Sequence, residues 1–592
     1  MLIRDSFRTN FYDVVRKKHV VIVVANDVDA LCASVILTHL FGCDDVAYSL
    51  VPVASWEGME KALHEYFEQG SNFVLLNCGA YRPLLQLAIP PSSTVFVVDS
   101  RRPIDVDNIY NPDQIRVVCL GKEVDEELNI PPADAIYAED DSEDEEDEGE
   151  DEDEEEDEDD EGIDENREPK KRKKKGGMDN LEMRVLKREQ KRRWEKRRGD
   201  LLWEYYEWSW VATSSCIVLL SVAAELSRAT AELVWLSSIA LSSQLNDSLI
   251  SPNGYTLQCV DCMQPYIAKY APRGAAKADD LLRIKFEREI PLPFYQHWSL
   301  LQAMTVNKFF ACKTRNWTQR GDNEMKHLLA EIGLTLQECR QKFTAMTLER
   351  RTEVVSLIEK AMACKFASFF VQLGYTERMS AYDVSRALST WLGSSNRFVL
   401  DSKGVSRQLT LADRFEDCRK LLRSFITATT EMDRLHRMIA LSKSELETIW
   451  TAASAVVNQS EVIPNDTYYL YLSNRPRDRD IASAAGLFAF THFIAAAFSA
   501  NRKGRSRRPL VVGVPYEEEG GYHLVMGVMP LATVDADHNL KSFMGRAFER
   551  VGKKPRIGVK APFFRPDMVL VKSEDLGRFL DELQKLLDIS VS

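Results

Sequence analysis

Three short stretches carry residues with the types and spacing of a carboxylate metal site. The first, Asn26-Asp27-Val28-Asp29-Ala30, has two aspartates separated by one residue. The second is Leu75-Leu76-Asn77-Cys78-Gly79, and the third is Val97-Val98-Asp99-Ser100-Arg101-Arg102-Pro103. Aspartates two positions apart suit a hard divalent cation, which takes oxygen ligands. The other stretches add Asp99, but also an amide at Asn77 and a guanidinium at Arg101. An amide lacks the charge of a carboxylate, and a guanidinium stays protonated and does not ligate metal. The set has the placement of a metal centre with only part of its chemistry. Asp27 and Asp29 also precede a helical pattern starting at Ala30, and helix capping is the reading favoured for them over catalysis.

Each stretch follows an apolar run that reads as a buried strand. Strands are expected at residues 19–25, 46–53, 72–76, 94–98 and 115–120, and helices at 30–41 and 56–69, with a short one at 81–87. Apolar strands separated by helical patterns imply an α/β fold with a mostly parallel, doubly wound sheet. Ligands of such sheets gather outside the C-terminal strand ends, where all three stretches fall.

The chain has 592 residues, too many for one core, so two or three domains are expected. Its net charge of −15 is misleading, because 23 acidic residues lie within 139–165. Without them, 76 basic residues stand against 68 acidic ones, leaving about +8 and room for basic surfaces. The acidic run has too few apolar residues to offset its chain entropy by burial. Ser142 within it suits an acidophilic kinase. Pro169-Lys170-Lys171-Arg172-Lys173-Lys174-Lys175 follows and resembles a nuclear import signal, a reading favoured over a counter-charge to the acidic run. Residues 181–198 read as a basic helix through Arg188, Lys191, Arg192, Arg193, Lys196, Arg197 and Arg198. Trp194, Trp203, Tyr205, Tyr206, Trp208 and Trp210 interleave with it and follow it. This combination fits either a single-strand stacking platform or core aromatics beside a solvated or protein-binding basic face, and the second is favoured.

Eleven cysteines, mostly inside apolar runs, fit reduced intracellular thiols. Cys259-Val260-Asp261-Cys262 supplies half the ligands of a structural zinc site, with no second pair nearby. The first residues lack the apolar core of a signal peptide. Residues 481–500 carry no charge and have the length of a membrane span, but their Ala, Ser, Thr and His492 favour a buried core helix. No membrane association is expected.

Further along, 213–245 reads as apolar helix and 290–377 as several amphipathic helices introduced by Pro291 and Pro293. A long helix is expected over 411–458. Strands at 467–472, 509–514, 522–528 and 567–571 then alternate with helices at 481–500, 540–550 and 574–587, as a second, smaller α/β domain. Gly552-Lys553-Lys554 lacks the remainder of a phosphate-binding loop, so nucleotide hydrolysis is not expected. Nine thinly spread histidines suggest no nucleophile–base set.

The three strand ends together resemble the DHH phosphoesterase superfamily, which includes the RecJ-type single-strand exonucleases. Asp27, Asp29 and Asp99 match that family's motif positions; Asn77 replaces an aspartate, and Ser100-Arg101 replaces two histidines. Active members hold two manganese or magnesium ions that activate water, and these substitutions imply that such a site is lost. A narrower resemblance is to the eukaryotic cell division control protein 45 family. It rests on the residues from Val24 to Ala33, Leu50-Val51-Pro52-Val53, Asn77-Cys78-Gly79, Asp99-Ser100-Arg101-Arg102-Pro103 and Asn108-Ile109-Tyr110-Asn111. Later blocks are Thr213-Ser214-Ser215, Tyr295-Gln296-His297-Trp298-Ser299-Leu300, Gln341-Lys342-Phe343 and Gly545-Arg546-Ala547-Phe548-Glu549. Arg101 departs from the histidine expected there.

That resemblance implies an N-terminal DHH-type parallel sheet with a helical insertion and linker, and a smaller C-terminal DHH-associated α/β domain. The expected divisions are 1–135, an acidic-then-basic loop at 136–178, helices completing the first lobe at 179–289, a partner region at 290–390, connecting helices at 391–458 and the last domain at 459–592. It implies a nuclear, non-catalytic subunit of the replicative DNA helicase, without cofactor, joining the minichromosome maintenance ATPase ring and the GINS complex. Initiation factors and polymerases are further implied partners. Tyr295, Trp298, Lys342 and Phe343 are candidate partner contacts, although Trp298 reads equally well as core. Active relatives grip single-stranded DNA through a glycine-rich motif in the second lobe. Gly520-Gly521-Tyr522-His523 reads instead as a hairpin turn, and the equivalent position falls near Gly545-Arg546-Ala547-Phe548. Lys541, Arg546, Arg550, Lys553 and Lys554 are candidate phosphate contacts for single-stranded DNA. The rival reading is a metal-dependent single-strand exonuclease, with a free-standing nucleic-acid binder as a third. Asn77 and Arg101 argue against the enzyme, and the long helical middle argues for protein partners.

Overall fold

The computed structural model describes residues 1–69, 71–126, 128–137, 177–270, 283–362, 368–374, 378–394, 398–400, 406–427, 431–473, 475, 481–501, 508–516, 520–530 and 540–591. The import-signal stretch and Ser142 lie outside them. Two compact units are present, one made of residues 1–128 with 208–592 and the other of 129–207.

Val20–Ala25 is a run of β-branched and small residues, and every one of its side chains is buried. Such a strand needs cover on both faces, which places it inside a parallel sheet. It pairs in parallel with Tyr48–Val53 on one side and Asn72–Leu76 on the other. Val95–Val98 and Ile115–Val118 extend the sheet, and Leu2–Ile3 closes the far edge, also in parallel. The register sets Val24 opposite Leu76 and Leu76 opposite Val98. The residues after these strands, Asn26, Asn77 and Asp99, therefore emerge at one level of one edge. The helix Val28–Cys43 is buried along nearly its whole length and packs on Ser215–Glu225 and Ala231–Asn246. Each buried Val, Leu or Ile contributes about 2 kcal/mol relative to exposure.

The second sheet is mixed, with spatial order Ile463–Pro464, Tyr469–Leu472, Leu510–Tyr516, Tyr522–Val528, Met568–Lys572 and Val559–Lys560. Among the described residues its one parallel pair joins Tyr469–Leu472 to Leu510–Tyr516. The hairpin reading of Gly520-Gly521 holds: Leu510–Tyr516 and Tyr522–Val528 are antiparallel, and Gly521 sits at φ +85°. Helix Ala484–Asn501 covers this sheet, with Leu487, Phe490 and Ile494 fully buried. Among the described residues no helix is long and apolar enough to cross a membrane.

Four expectations need correction. The apolar stretch from 213 is two helices, Ser215–Glu225 and Ala231–Asn246, broken where Ser227 takes φ +58°. The helix expected over 411–458 is also two, Leu411–Ile426 and Met432–Asn458, with Thr427 at the break. The region read as all helix to 377 contains the strand Ser368–Gly374, paired antiparallel with Arg283–Glu289. The charged alternation of Arg283–Glu289 hides that strand from a hydrophobic reading. The short helix at 81–87 is one 3-10 turn, Leu84–Leu87.

Candidate functional site

Asp27 is the N-cap of Val28–Cys43, its Oδ1 accepting from the Ala30 N–H at 2.8 Å. The expectation that both aspartates cap the helix that follows them holds for Asp27 and not for Asp29. Asp29 already lies inside that helix, so its carboxylate points to the start of a different one. Its Oδ2 accepts from the Ser215 N–H at 3.0 Å, and its Oδ1 from the Cys216 N–H at 3.0 Å and from the Ser214 hydroxyl. A carboxylate at a helix N-terminus meets unpaired N–H groups and the positive end of the helix dipole. Burial and the charge of Asp27 push the Asp29 carboxyl up, while donors from Ser214, Cys216 and Asn77 pull in the other direction.

Asn77 sits between the two aspartates. Its Nδ2 donates to Asp27 Oδ1 at 3.0 Å and to Asp29 Oδ2 at 3.1 Å. Its Oδ1 accepts from the Ser100 N–H at 3.0 Å, the Ser100 hydroxyl at 3.2 Å and the Ser215 hydroxyl at 2.6 Å. The backbone donor at Ser100 fixes which end of the amide is oxygen, and so turns the NH2 toward the carboxylates. Asn77 has φ +52°, a left-handed conformation that asparagine tolerates better than most residues.

Asp99 is buried and accepts from the backbone N–H groups of Ala80 at 3.2 Å and Arg101 at 2.9 Å. The Arg101 side chain folds back over the same edge. Its Nη2 meets Asp27 Oδ2 at 2.8 Å, its Nη1 lies 3.6 Å from Asp99 Oδ1, and Nη1 also donates to the Asn77 carbonyl. Burial alone lowers the basicity of Arg101, but the charges of Asp27 and Asp99 outweigh it and the net shift is upward. The Phe564 ring lies 6.0 Å from the guanidinium, within cation–π range. Arg102 makes a separate buried pair with Glu123, its Nε donating to Oε1 at 2.7 Å. Three carboxylates thus share one guanidinium, one amide and a helix N-terminus. Among the described residues, no group of three or more His, Cys, Asp or Glu is arranged to hold a metal.

Sequence reasoning gave no role to Ser214, Ser215 or Cys216. The available signal was a Thr-Ser-Ser run directly before an apolar helix, an N-cap signature that does not say which carboxylate it meets. The same segment ties the site to the residues that lead into the helix Met544–Gly552. The Ala212 N–H donates to the Ser100 carbonyl at 2.8 Å, and Arg101–Arg102 pairs with Trp210–Val211. Ser209 and Ser542 exchange backbone hydrogen bonds of 2.9 and 2.8 Å.

The other candidate residues form two groups. Tyr295, Trp298 and Phe343 are buried together, with the Tyr295 and Phe343 rings 4.8 Å apart at their centroids. The Phe343 N–H donates to the Trp298 carbonyl at 3.0 Å, and of the four only Lys342 is exposed. Trp298 is therefore part of the core. Of the basic set, Arg546 pairs with Glu549 at 2.9 Å, Lys553 with Glu549 at 2.7 Å and Lys554 with Glu582 at 2.8 Å. Lys541 is exposed and stands 5.4 Å from the Trp210 ring centroid; Arg550 is half-buried. Burial pushes the Cys259 thiol up to about 12 and the Cys262 thiol up to about 11.

The CDC45 family model matches residues 20–586. The human cell division control protein 45 homolog is 31% identical over 601 residues, covering 98% of this chain and 99% of its own. The Schizosaccharomyces pombe homolog is 28% identical over 612 residues, covering 95% and 94%. The crystal structure of CDC45 from Entamoeba histolytica superposes with a TM-score of 0.65 at 16% identity, covering 99% of this chain and all of that one. Manganese-bound RecJ from Thermus thermophilus reaches a TM-score of 0.41 at 10% identity, too distant to bear on the site. A match this long in both family and full-length relatives leaves one conclusion: the chain belongs to the CDC45 family.

Proposed function

We propose that this chain is a non-catalytic subunit of the eukaryotic replicative DNA helicase. It bridges the minichromosome maintenance ring and GINS during initiation and elongation in the nucleus, and meets initiation factors and polymerases there. Residues 290–390 supply much of the partner surface, with Lys342 as an exposed contact. The observation that carries the reading is the Asn77 amide bonded to both Asp27 and Asp29. An amide NH2 occupies the space where a shared cation between two carboxylates belongs, and the Arg101 charge beside it repels a second. The donor set does not fit two divalent ions, so no hydrolytic step is derived through them. Single-stranded DNA contact through Lys541, Arg546, Arg550, Lys553 and Lys554 belongs to this reading as a weak, charge-driven interaction, since Glu549 and Glu582 already offset part of that face.

The test compares manganese-dependent cleavage of labelled single-stranded DNA by the purified chain and by Asn77→Asp/Arg101→His, alongside co-purification with the ring and GINS. The expected result is no cleavage above background by the native chain and a stable ternary assembly. Cleavage by the native chain that disappears in Asp27→Ala would establish the rival exonuclease. Failure to assemble would remove the scaffold role.

A further inference from the structure

The helix Gly177–Tyr206 is 30 residues long, about 45 Å at the ordinary rise. Over residues 189–200 only Trp194 and Arg198 are less than exposed, so this stretch has no buried face. A helix that is polar all round lacks the packing that normally stabilises helices in proteins. Local pairing does little to replace it. Among the described residues of the stretch the one ion pair is Arg193–Glu189, at 3.6 Å and largely in solvent. Lys191, Arg192, Lys196 and Arg197 stand exposed, with no carboxylate partner among the described residues.

We infer that this helix is a docking element for B-form duplex DNA, lying in the major groove and contacting phosphates on both walls. Lys191, Arg192 and Arg193 are consecutive, so at about 100° per residue they point in three directions around the axis. Lys196 and Arg197, four positions on from Arg192 and Arg193, repeat two of these directions one turn on. An acidic protein surface would use one face of the helix and leave the rest idle. A groove presents phosphates on either side, and its width of about 12 Å matches a helix of about 10–12 Å with side chains. The major groove of A-form RNA is too narrow to admit it. Single strands are the weaker fit because they need free aromatic faces. Trp194 is taken by Arg198, whose guanidinium lies 5.6 Å from the ring centroid. The helix is thus arranged like the continuous basic regions that enter the groove as isolated helices.

The experiment is fluorescence anisotropy of a labelled duplex of about two helical turns with the full chain, titrated at several salt concentrations. The variant Lys191→Gln/Arg192→Gln/Lys196→Gln/Arg197→Gln is compared with the native chain. Circular dichroism and thermal melting check that both fold alike, and Lys191→Arg/Lys196→Arg serves as the charge-preserving control. Loss of four phosphate contacts is expected to make the log–log salt slope shallower by about 3 to 4 and to weaken binding at least about tenfold near 0.1 M salt. The arginine control should bind as the native chain does. Equal affinity and slope in native chain and variant, or no duplex binding by the native chain, overturns the inference. So does tighter binding of a single strand of equal length, or of a glutamate-rich peptide, with the same sensitivity to the four substitutions. None of these results depends on whether the helicase assembly forms.

Discussion

Asn77→Asp is the sharpest probe of the carboxylate edge. It replaces the NH2 that bonds Asp27 at 3.0 Å and Asp29 at 3.1 Å with a second carboxylate oxygen. The φ of +52° suits aspartate about as well as asparagine, so the change is electrostatic rather than a matter of backbone strain. Four carboxylates then share that edge with one guanidinium, and the new one holds a proton. Keeping an aspartate protonated at pH 7, when its free value is about 3.9, costs about 4 kcal/mol. The folded pKa is raised above the unfolded one, so this penalty is absent below about pH 4. It grows by about 1.4 kcal/mol per pH unit until the folded pKa is reached. A protonated carboxyl donates one hydrogen bond where the amide donated two, which leaves a further loss of about 1–2 kcal/mol at any pH. Urea denaturation of the two proteins between about pH 5 and pH 8 should show the gap between them widening as pH rises. A gap that stays below about 1 kcal/mol and does not move with pH would refute the claim that the amide neutralises this pair. Manganese that restored the variant would show that Arg101 does not keep cations out.

Three further outcomes follow from the same structure. Ser215→Ala removes the hydroxyl that donates to Asn77 Oδ1 at 2.6 Å and to the Val98 carbonyl at 3.2 Å, and should lower stability by about 1–2 kcal/mol in the same urea assay. The Glu289 carboxyl, bonded by Tyr295 and Gln372, is pushed up to about 7 by burial. Its contribution to stability is therefore complete below about pH 4.5 and falls by up to about 3 kcal/mol as pH rises to 7, so Glu289→Gln should flatten the decline of Tm over that range. Parallel Tm profiles in the two proteins would contradict this. Gly545→Ala sets a Cβ 2.7 Å from the Pro566 Cβ and should lower Tm, since overpacking of about 1–3 kcal/mol exceeds the helix-propensity gain of about 1.

Much of the first sheet was legible in the sequence because its central strands, Val20–Ala25, Asn72–Leu76 and Val95–Val98, are fully buried and almost wholly apolar. Hairpin chemistry at Gly520-Gly521 was readable for a similar reason, a local signal with one structural meaning. What stayed hidden depends on distance along the chain. Leu2–Ile3 is too short to show a period and is a strand only because Ile115–Val118 offers its edge. Arg283–Glu289 alternates charges and is a strand only opposite Ser368–Gly374. At the site, residue types alone set an amide at Asn77 and a guanidinium at Arg101 beside the aspartates, as the structure does. They gave no hint that Asp29 caps a helix starting at Ser215, since the two are 186 residues apart. Tyr295 and Phe343, candidate partner contacts by sequence, are buried in this chain, because aromatic residues serve cores and interfaces equally well.

The segment from Ser209 to Cys216 also orders events in time. A ribosome adding about 5–20 residues per second completes the strands of the first sheet once Val118 has emerged. The helix start that satisfies Asp29 follows about 5–20 s later, after roughly another hundred residues. Ser209 then waits about 17–67 s more for Ser542. Through that interval the backbone groups of Ser209 lack the partner that Ser542 supplies in the finished chain. The nascent chain is therefore most exposed to misassembly or chaperone capture after the strands that define its fold have been made.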